Sequence, residues 1–233
     1  MINDNGDLAD LLENLRQKRS EQNGTKRKDD FENGNRATED ELEYAGIQKR
    51  YQAVTFSAIE RRGIPACTQN NFDVVKEYAD NLSENIKRGY GLILVGKYGT
   101  MKTTLAVALL RKWLDDGHHG LIVPMCSVID NLCTMRILNR EEFAKYERRL
   151  RTTPLLILDD LGGEDTDQKW VLAKVDSIIT ERYNKMLATI VTSNYTAEEL
   201  ASTYSERIID RLKNTSRLLV FNSDSQRRHF WEE

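Results

Sequence analysis

One run of residues combines glycines, lysine and threonine at the spacing of a phosphate-binding loop. An apolar segment precedes this run and a helix-forming segment follows it, which is the context that a Walker A loop requires. Glycines let backbone N–H groups turn towards an anion, and the new helix presents its positive end to the same anion. We expect the run to bind nucleotide phosphates, with Lys102 on the β- and γ-phosphates and the Thr103 hydroxyl on magnesium. The residues concerned are Gly96, Lys97, Tyr98, Gly99, Thr100, Met101, Lys102, Thr103 and Thr104.

Met101 stands where this motif usually has a glycine, directly before the lysine. The backbone approaches phosphate at this position, so a long side chain must point away from the nucleotide. We expect nucleotide binding to tolerate the methionine and hydrolysis to be slow because of it. Taken alone, the run also fits an ordinary strand–turn–helix junction.

Two adjacent carboxylates end a later apolar run, residues 155–158, at Asp159 and Asp160. The carboxyl ends of parallel strands open on the crevice where ligands bind. We expect Asp159 to lie in the outer shell of magnesium and Asp160 to orient or deprotonate the attacking water. Asn194 ends another apolar strand and is a candidate to hold the same water. A strand that ends in a solvated turn is the alternative for each, but the two motifs together predict a P-loop protein that binds ATP and magnesium.

Short apolar strands alternate with helices from residue 51 onwards. This alternation implies α/β class and a three-layer sandwich, with a mostly parallel five-stranded sheet covered on both faces. The predicted strands are 91–95, 120–126, 155–158, 188–192 and 217–221, and the predicted helices cover 72–87, 102–115, 127–151 (as one or two helices) and 169–185.

Residues 1–50 differ in composition from residues 51–233. Four leucines repeat at the spacing of one face of an amphipathic helix. A polar stretch follows at 21–34, and a capping box at 38–41 predicts a second short helix. We therefore divide the chain into a helical or flexible N-terminal segment, 1–50, and a main domain, 51–233. The leucine stripe, which either folds back or binds a partner, consists of Leu8, Leu11, Leu12 and Leu15.

Composition and charge exclude several classes of protein. With 39% hydrophobic and 30% charged residues, the chain is typical of soluble globular proteins. No apolar run approaches the ~20 residues that span a bilayer, and the N-terminus lacks the layout of a secretory signal. We expect a cytoplasmic protein without a membrane partner. A net charge of −3 limits nucleic-acid contact to a local patch, and the cysteines are expected to be buried thiols.

Four segments resemble the DnaC and DnaI group of bacterial helicase loaders, and the related IstB transposition helpers. Both groups are AAA+ ATPases, and the resemblance covers roughly residues 54–228. The segments are Asp-Asp-Leu-Gly at 159–162, Thr-Ser-Asn at 192–194, Glu-Arg-Ile-Ile-Asp-Arg-Leu at 206–212 and Phe-Asn-Ser-Asp-Ser-Gln-Arg at 221–227.

The resemblance implies catalytic roles for Asn194 and Arg211 and a nucleotide-binding role for Arg227. Asn194 would be sensor 1, Arg227 the sensor 2 arginine, and Arg211 an arginine finger that reaches the nucleotide of the next subunit. A guanidinium suits this role because it is always ionised and spreads its charge over a transferring phosphoryl group. Arg207, one helical turn away, is a second candidate. The alternative for Arg211 is a surface ion pair with Asp210 or Glu206.

The resemblance also implies partners. These are a replicative helicase that docks on residues 1–50, single-stranded DNA, and further copies of the chain in a head-to-tail ring or spiral without a separate C-terminal lid. Basic and aromatic residues between the second and third strands suit a single strand of DNA. Nearby glutamates, at 141, 142 and 147, make a salt-bridged helix face the alternative. The basic and aromatic residues are Arg136, Arg140, Phe143, Lys145, Tyr146, Arg148, Arg149 and Arg151.

Three functions are compatible with these patterns. The first is an ATP-dependent helicase loader in DNA replication. The second is an IstB-like transposition helper that acts on duplex DNA. The third is an ATP-binding switch with little hydrolysis.

Overall fold

The computed structural model of the chain describes residues 36–164 and 169–226. The chain divides into two compact units between Arg36 and Ala37, and the second unit carries the features that follow. The leucine stripe of residues 8–15 and the candidate sensor Arg227 lie outside the described residues.

Five strands form one sheet in the order β2-β3-β4-β1-β5, and every neighbouring pair is parallel. Strands β1, β3 and β4 are almost completely buried, which explains why their sequences are continuous apolar runs. The predicted five-stranded parallel sheet is confirmed. The strands are β1 (Gly91–Gly96), β2 (Gly120–Pro124), β3 (Leu155–Asp159), β4 (Ala188–Ser193) and β5 (Ser216–Phe221).

Helices cover both faces of the sheet, so the described residues form three layers. One apolar cluster joins helices α1–α5 to the sheet, and a second joins α6–α10 to the opposite face. The helices are α1 (Glu39–Tyr44), α2 (Phe56–Arg62), α3 (Ala66–Asp80), α4 (Leu82–Lys87), α5 (Lys102–Asp115), α6 (Met125–Leu138), α7 (Arg140–Thr152), α8 (Lys169–Asn184), α9 (Ala197–Thr203) and α10 (Glu206–Thr215), with a 3-10 turn at Lys49–Tyr51.

Two element boundaries differ from the sequence prediction. The helix predicted over 72–87 is two helices, because Asn81 leaves helical geometry and its side chain donates to the Glu77 carbonyl. The segment 127–151, predicted as one or two helices, is two, since the Asn139 side chain caps the start of α7. Strand β2 ends at Pro124, before the predicted end at 126, because α6 begins at Met125.

The domain boundary at residue 50 is wrong, because residues 37–50 belong to the second compact unit. Leu42, Ala45 and Ile47 are buried in the apolar cluster that contains α5. The Ala45 carbonyl accepts a hydrogen bond from the Ile122 amide at 2.9 Å, so this segment covers the outer edge of β2. Gly46 has φ 83°, and a Cβ there would lie 2.1 Å from the Ile122 carbonyl oxygen. The predicted capping box at 38–41 is confirmed.

Two further observations concern the exposure of the cysteines and the possibility of a membrane-spanning helix. Cys67 and Cys126 are exposed, contrary to expectation, because each lies in the first turn of a helix on its solvent side. Among the helices of residues 36–164 and 169–226, none is long and apolar enough to cross a membrane.

A buried arginine fixes α7 and α8 to the sheet. The Arg182 side chain on α8 is only 1% exposed. Its guanidinium donates to the carbonyls of Leu150 and Thr153 at the end of α7, to the Ala188 carbonyl, and to the Thr189 hydroxyl. Burial lowers the pKa of Arg182 to about 9, so the group is still charged at neutral pH. A positive charge at the carboxyl end of α7 also suits the helix dipole.

Candidate nucleotide-binding site

Lys102 lies at the junction where β1 ends and α5 begins. Its side chain is 5% exposed. The ammonium group donates to the carbonyls of Gly96 at 2.6 Å and Lys97 at 2.7 Å, and to the Asn194 side-chain oxygen at 3.1 Å. The lysine is therefore held across the mouth of the loop, beside the amino-terminal end of α5, where both charge and helix dipole favour an anion.

Met101 immediately precedes α5 and takes a left-handed backbone conformation, with φ 73°. Glycine adopts this conformation freely, whereas another residue is strained by roughly 1–2 kcal/mol. The methionine side chain packs against the apolar cluster that contains α5, and it also lines the adjoining cleft. Met101 therefore takes the conformation of the usual glycine but adds a side chain at the edge of the site.

The carboxyl-terminal part of the described chain closes on the phosphate loop. The Gln226 amide donates to the Gly99 carbonyl at 2.7 Å. Gly99 has φ 79°, and a Cβ there would lie 2.1 Å from the Ser225 hydroxyl oxygen. Glycine is required at this position by both the backbone conformation and the close approach.

Two hydroxyl groups meet one carboxylate beside the loop. The Thr103 hydroxyl donates to Asp159 at 2.8 Å, and the Thr192 hydroxyl donates to the same carboxylate oxygen at 2.6 Å. Burial raises the pKa of Asp159, and the two hydroxyl hydrogen bonds oppose that shift. Hydroxyl and carboxylate oxygens on rigid strand and helix ends are ligands that Mg²⁺ prefers, so Thr103 and Asp159 fit a magnesium ion.

Asp160 and Asn194 are in direct contact across the ends of β3 and β4. Asn194 donates its side-chain N–H to the Asp160 carboxylate and accepts from Lys102 on its other side. Asp160 has φ 60°, and its amide donates to the Thr192 hydroxyl at 2.9 Å. A strained non-glycine residue at a strand end indicates a functional position. The structure thus brings Lys102, Asn194 and Asp160 together in one chain of hydrogen bonds.

A cleft of about 830 Å³ opens from this constellation. One wall is the phosphate loop with Asp159, Asp160 and Asn194. The other wall comes from the segment around α2, which sequence reasoning missed. No motif marks that wall, and the available sequence signal is an apolar and basic stretch at 50–62, which precedes α3. Its residues include Arg50, Tyr51, Val54, Ile59 and Arg62.

Thr192 is a second residue whose role was missed. Its hydroxyl joins β3 to β4 by bonding both the Asp159 carboxylate and the Asp160 amide. The sequence prediction used Thr192 only as part of a strand end. Thr192 lies two residues before Asn194, which directly follows β4, and side chains two residues apart in extended chain point to the same side. That spacing was the available signal.

Arg211 and Arg207 lie outside the cleft lining. Arg211 donates to the Thr180 hydroxyl at 2.5 Å and lies 3.6 Å from the Asp176 carboxylate. Arg207 forms an ion pair with the same carboxylate. Among the described residues the ion-pair partner of Arg211 is therefore on α8, and the alternative pairing with Asp210 or Glu206 on its own helix is wrong.

The basic residues of α7 are mostly paired within the subunit. Lys145 contacts Glu141 and Glu142, and Arg151 contacts Glu147 and Glu181. The Arg149 guanidinium lies 3.9 Å from the centre of the Tyr44 ring.

The two aromatic side chains of α7 face inwards. Phe143 and Tyr146 pack against the apolar cluster under α6–α10 rather than facing solvent. Lys145 and Arg151 therefore fit the salt-bridged helix face that was the alternative to DNA contact. Arg140 and Arg148 are exposed.

Comparison with known proteins identifies the family to which the chain belongs. The family model of the IstB-like ATP binding protein matches residues 72–232, which is more than half of the chain. The replicative helicase loader DnaC of Escherichia coli strain K12 is 27% identical over 189 residues, covering 78% of this chain and 73% of DnaC. The replicative helicase loader DnaI of Bacillus subtilis strain 168 is 30% identical over 139 residues, covering 58% of this chain. That alignment spans only 43% of DnaI.

Solved structures also show similarity to a helicase loader. The crystal structure of the DnaC helicase loader superposes with a TM-score of 0.67 at 27% identity, covering 75% of this chain and 100% of that one. The replication initiator DnaA bound to AMPPCP and single-stranded DNA superposes with a TM-score of 0.60, covering 76% of this chain and 51% of that one. Its identity of 18% indicates a shared fold alone. The fold is that of AAA+ P-loop ATPases, and the chain belongs to the family of IstB-like ATP binding proteins.

Proposed function

We propose that this protein is a cytoplasmic, ATP-dependent helicase loader in DNA replication, which binds a replicative helicase and delivers it to single-stranded DNA. The hydrogen-bonded chain from Lys102 through Asn194 to Asp160, beside the Thr103–Asp159 pair, carries the ATPase part of this proposal. The similarity to the loaders DnaC and DnaI carries the rest. The segment that docks on the helicase lies in residues 1–36, since residues 37–50 belong to the second compact unit.

Each group of the site has a distinct task in this proposal. Lys102 binds the phosphates. Thr103 and Asp159 would hold a magnesium ion, and such an ion would supply a Lewis acid for the charge on the phosphates. Asp160 orients the attacking water and accepts its proton, while Asn194 keeps that carboxylate in position. The wall formed by Tyr51, Val54 and Ile59 suits a nucleobase, because small-molecule sites combine apolar walls with a few placed polar groups.

Two substitutions should affect ATP binding and ATP hydrolysis separately. Lys102→Ala removes a charge-assisted contact of about 1.5–3 kcal/mol, so ATP affinity should fall at least about tenfold. Asp160→Asn keeps size but loses the base, so ATP should still bind while turnover falls by about 10²-fold. Nucleotide titration and steady-state ATPase assays on the same preparations measure both. Wild-type affinity of Lys102→Ala, or wild-type turnover of Asp160→Asn, would remove these assignments.

We also propose that Met101 makes turnover slow. The methionine is strained at φ 73° and places its side chain at the rim of the cleft. Met101→Gly should relieve the strain and let the loop approach the phosphates, so kcat should rise about threefold or more. An unchanged kcat at saturating ATP would contradict this effect. Turnover that stays negligible in both proteins would favour an ATP-binding switch instead.

Arg211 is proposed to act on the nucleotide of a neighbouring subunit, which requires a head-to-tail ring or spiral. Lys102→Ala and Arg211→Ala break opposite halves of such a shared site. A mixture of the two inactive proteins therefore contains some interfaces with both halves intact, and ATPase activity should return on mixing. If the two variants co-assemble and the mixture stays inactive, Arg211 does not act between subunits.

The loader function is tested with the full chain and a replicative helicase. The wild-type protein should co-purify with the helicase and place it on single-stranded DNA when ATP is present. Leu12→Glu interrupts the apolar stripe and should abolish co-purification, whereas Gln17→Glu adds the same charge off the stripe and should not. Filaments on duplex DNA without helicase binding would instead support an IstB-like transposition helper.

A further inference from the structure

Helices α8 and α10 are joined by a ladder of polar contacts. Three residues on α8 follow the spacing i, i+4, i+7, and three residues on α10 follow the same spacing, so each set forms one stripe. The stripes face each other rung by rung. The rungs are Asp176 with Arg207, Thr180 with Arg211, and Tyr183 with Asn214.

The ladder fixes Arg211 more firmly than Arg207. The Arg211 side chain is 20% exposed, and that of Arg207 is 63% exposed. Arg211 donates to the Thr180 hydroxyl at 2.5 Å, and Thr180 in turn donates to Asp176 at 3.0 Å. The Arg211 guanidinium also lies 5.7 Å from the centre of the Tyr183 ring. Arg211 is therefore connected to the Asp176 carboxylate both directly and through one hydroxyl.

The Asp176 carboxylate is the shared acceptor for Arg207, Thr180 and Arg211. One of its carboxylate oxygens pairs with Arg207, and the other accepts from Thr180 and lies 3.6 Å from Arg211. The Asp176 side chain is largely covered, so its charge orients neighbouring donors with little competition from water. Asp176 is absent from the lining of the nucleotide cleft.

An arginine that acts across a subunit interface must be held in one orientation before the interface forms. Its long side chain has many rotamers, and each one that leads away from the neighbouring phosphate lowers the fraction of productive contacts. A hydroxyl and a carboxylate that together hold the guanidinium remove many of those rotamers.

We propose that Asp176, acting through Thr180, is the positioning residue for Arg211. The proposal rests on the trans-acting role of Arg211 given above. Asp176 lies outside the lining of the nucleotide cleft, so it should affect the rate of hydrolysis without affecting the binding of ATP to its own subunit.

The test compares full-length Asp176→Asn and Thr180→Val with a matched control, Asp210→Asn, which removes a carboxylate from an exposed position next to Arg211. Both test variants should keep ATP affinity and KM within about twofold of wild type and lose about tenfold in kcat. The control should keep wild-type kcat. Mixing Asp176→Asn with Lys102→Ala should restore activity, because the Lys102→Ala subunit carries an intact Asp176 and Arg211.

Three results would overturn the assignment. Wild-type kcat in both Asp176→Asn and Thr180→Val, with Arg211→Ala inactive, would show that Arg211 acts without this support. A parallel loss of ATP affinity, melting temperature and kcat that mixing does not restore would show a purely structural role. Wild-type kcat in Arg211→Ala would identify the trans-acting role itself as the failure.

Discussion

Strand β4 hydrogen-bonds to β3 on one side and to β1 on the other, so the carboxyl ends of three parallel strands meet in one row. The phosphate loop leaves β1, the two carboxylates end β3, and Asn194 follows β4. The Thr192 hydroxyl locks this row by bonding groups of both Asp159 and Asp160. Without the β3-β4-β1 order, Lys102 would lie too far from Asp160 for one asparagine to contact both.

Strain is concentrated at this row of strand ends. Of the non-glycine residues with positive φ in the described chain, Met101 lies where the phosphate loop passes into α5, and Asp160 lies directly after β3. Each is held by its neighbours, Met101 by apolar packing and Asp160 by the Thr192 hydroxyl. Strained residues persist only where the surrounding structure over-determines them. The sheet and its apolar clusters therefore hold Met101 and Asp160 in a backbone conformation that the loops would not keep by themselves.

The features visible in the sequence are those that depend on neighbours along the chain. Residues 91–95 and 155–158 are recognisable as strands because burial on both faces makes them continuously apolar, and Lys102 is marked by its loop. The wall containing Tyr51 and Val54 was not predictable, because it becomes a wall only when residues 50–62 meet the phosphate loop. The break at Asn81 was missed because one side-chain hydrogen bond outweighs an otherwise helical pattern.

The contacts of charged residues are even harder to predict from neighbours along the chain. The sequence around α7 contains many basic residues, yet the partners of Arg151 include Glu181 on another helix, and those of Arg149 include Tyr44, which lies more than a hundred residues away. Helical spacing predicts the pairs within one helix, such as Lys145 with Glu141. Pairs between helices depend on how the helices pack, and a basic stretch in a sequence therefore overstates the positive charge that the folded surface presents.

The loop that follows Asp160 is also tied to α10. Glu164 is buried, accepts a hydrogen bond from the Gly162 amide at 2.8 Å, and accepts another from the Tyr204 hydroxyl. Burial raises the pKa of Tyr204, so its hydroxyl stays protonated and remains a donor. Tyr204 directly precedes the capping residue of α10, while α8 contacts α10 through Asp176 and Thr180. Two separate sets of contacts therefore hold α10 in place: the hydrogen bond from Tyr204 to Glu164 at its start, and the polar contacts with α8 along its length.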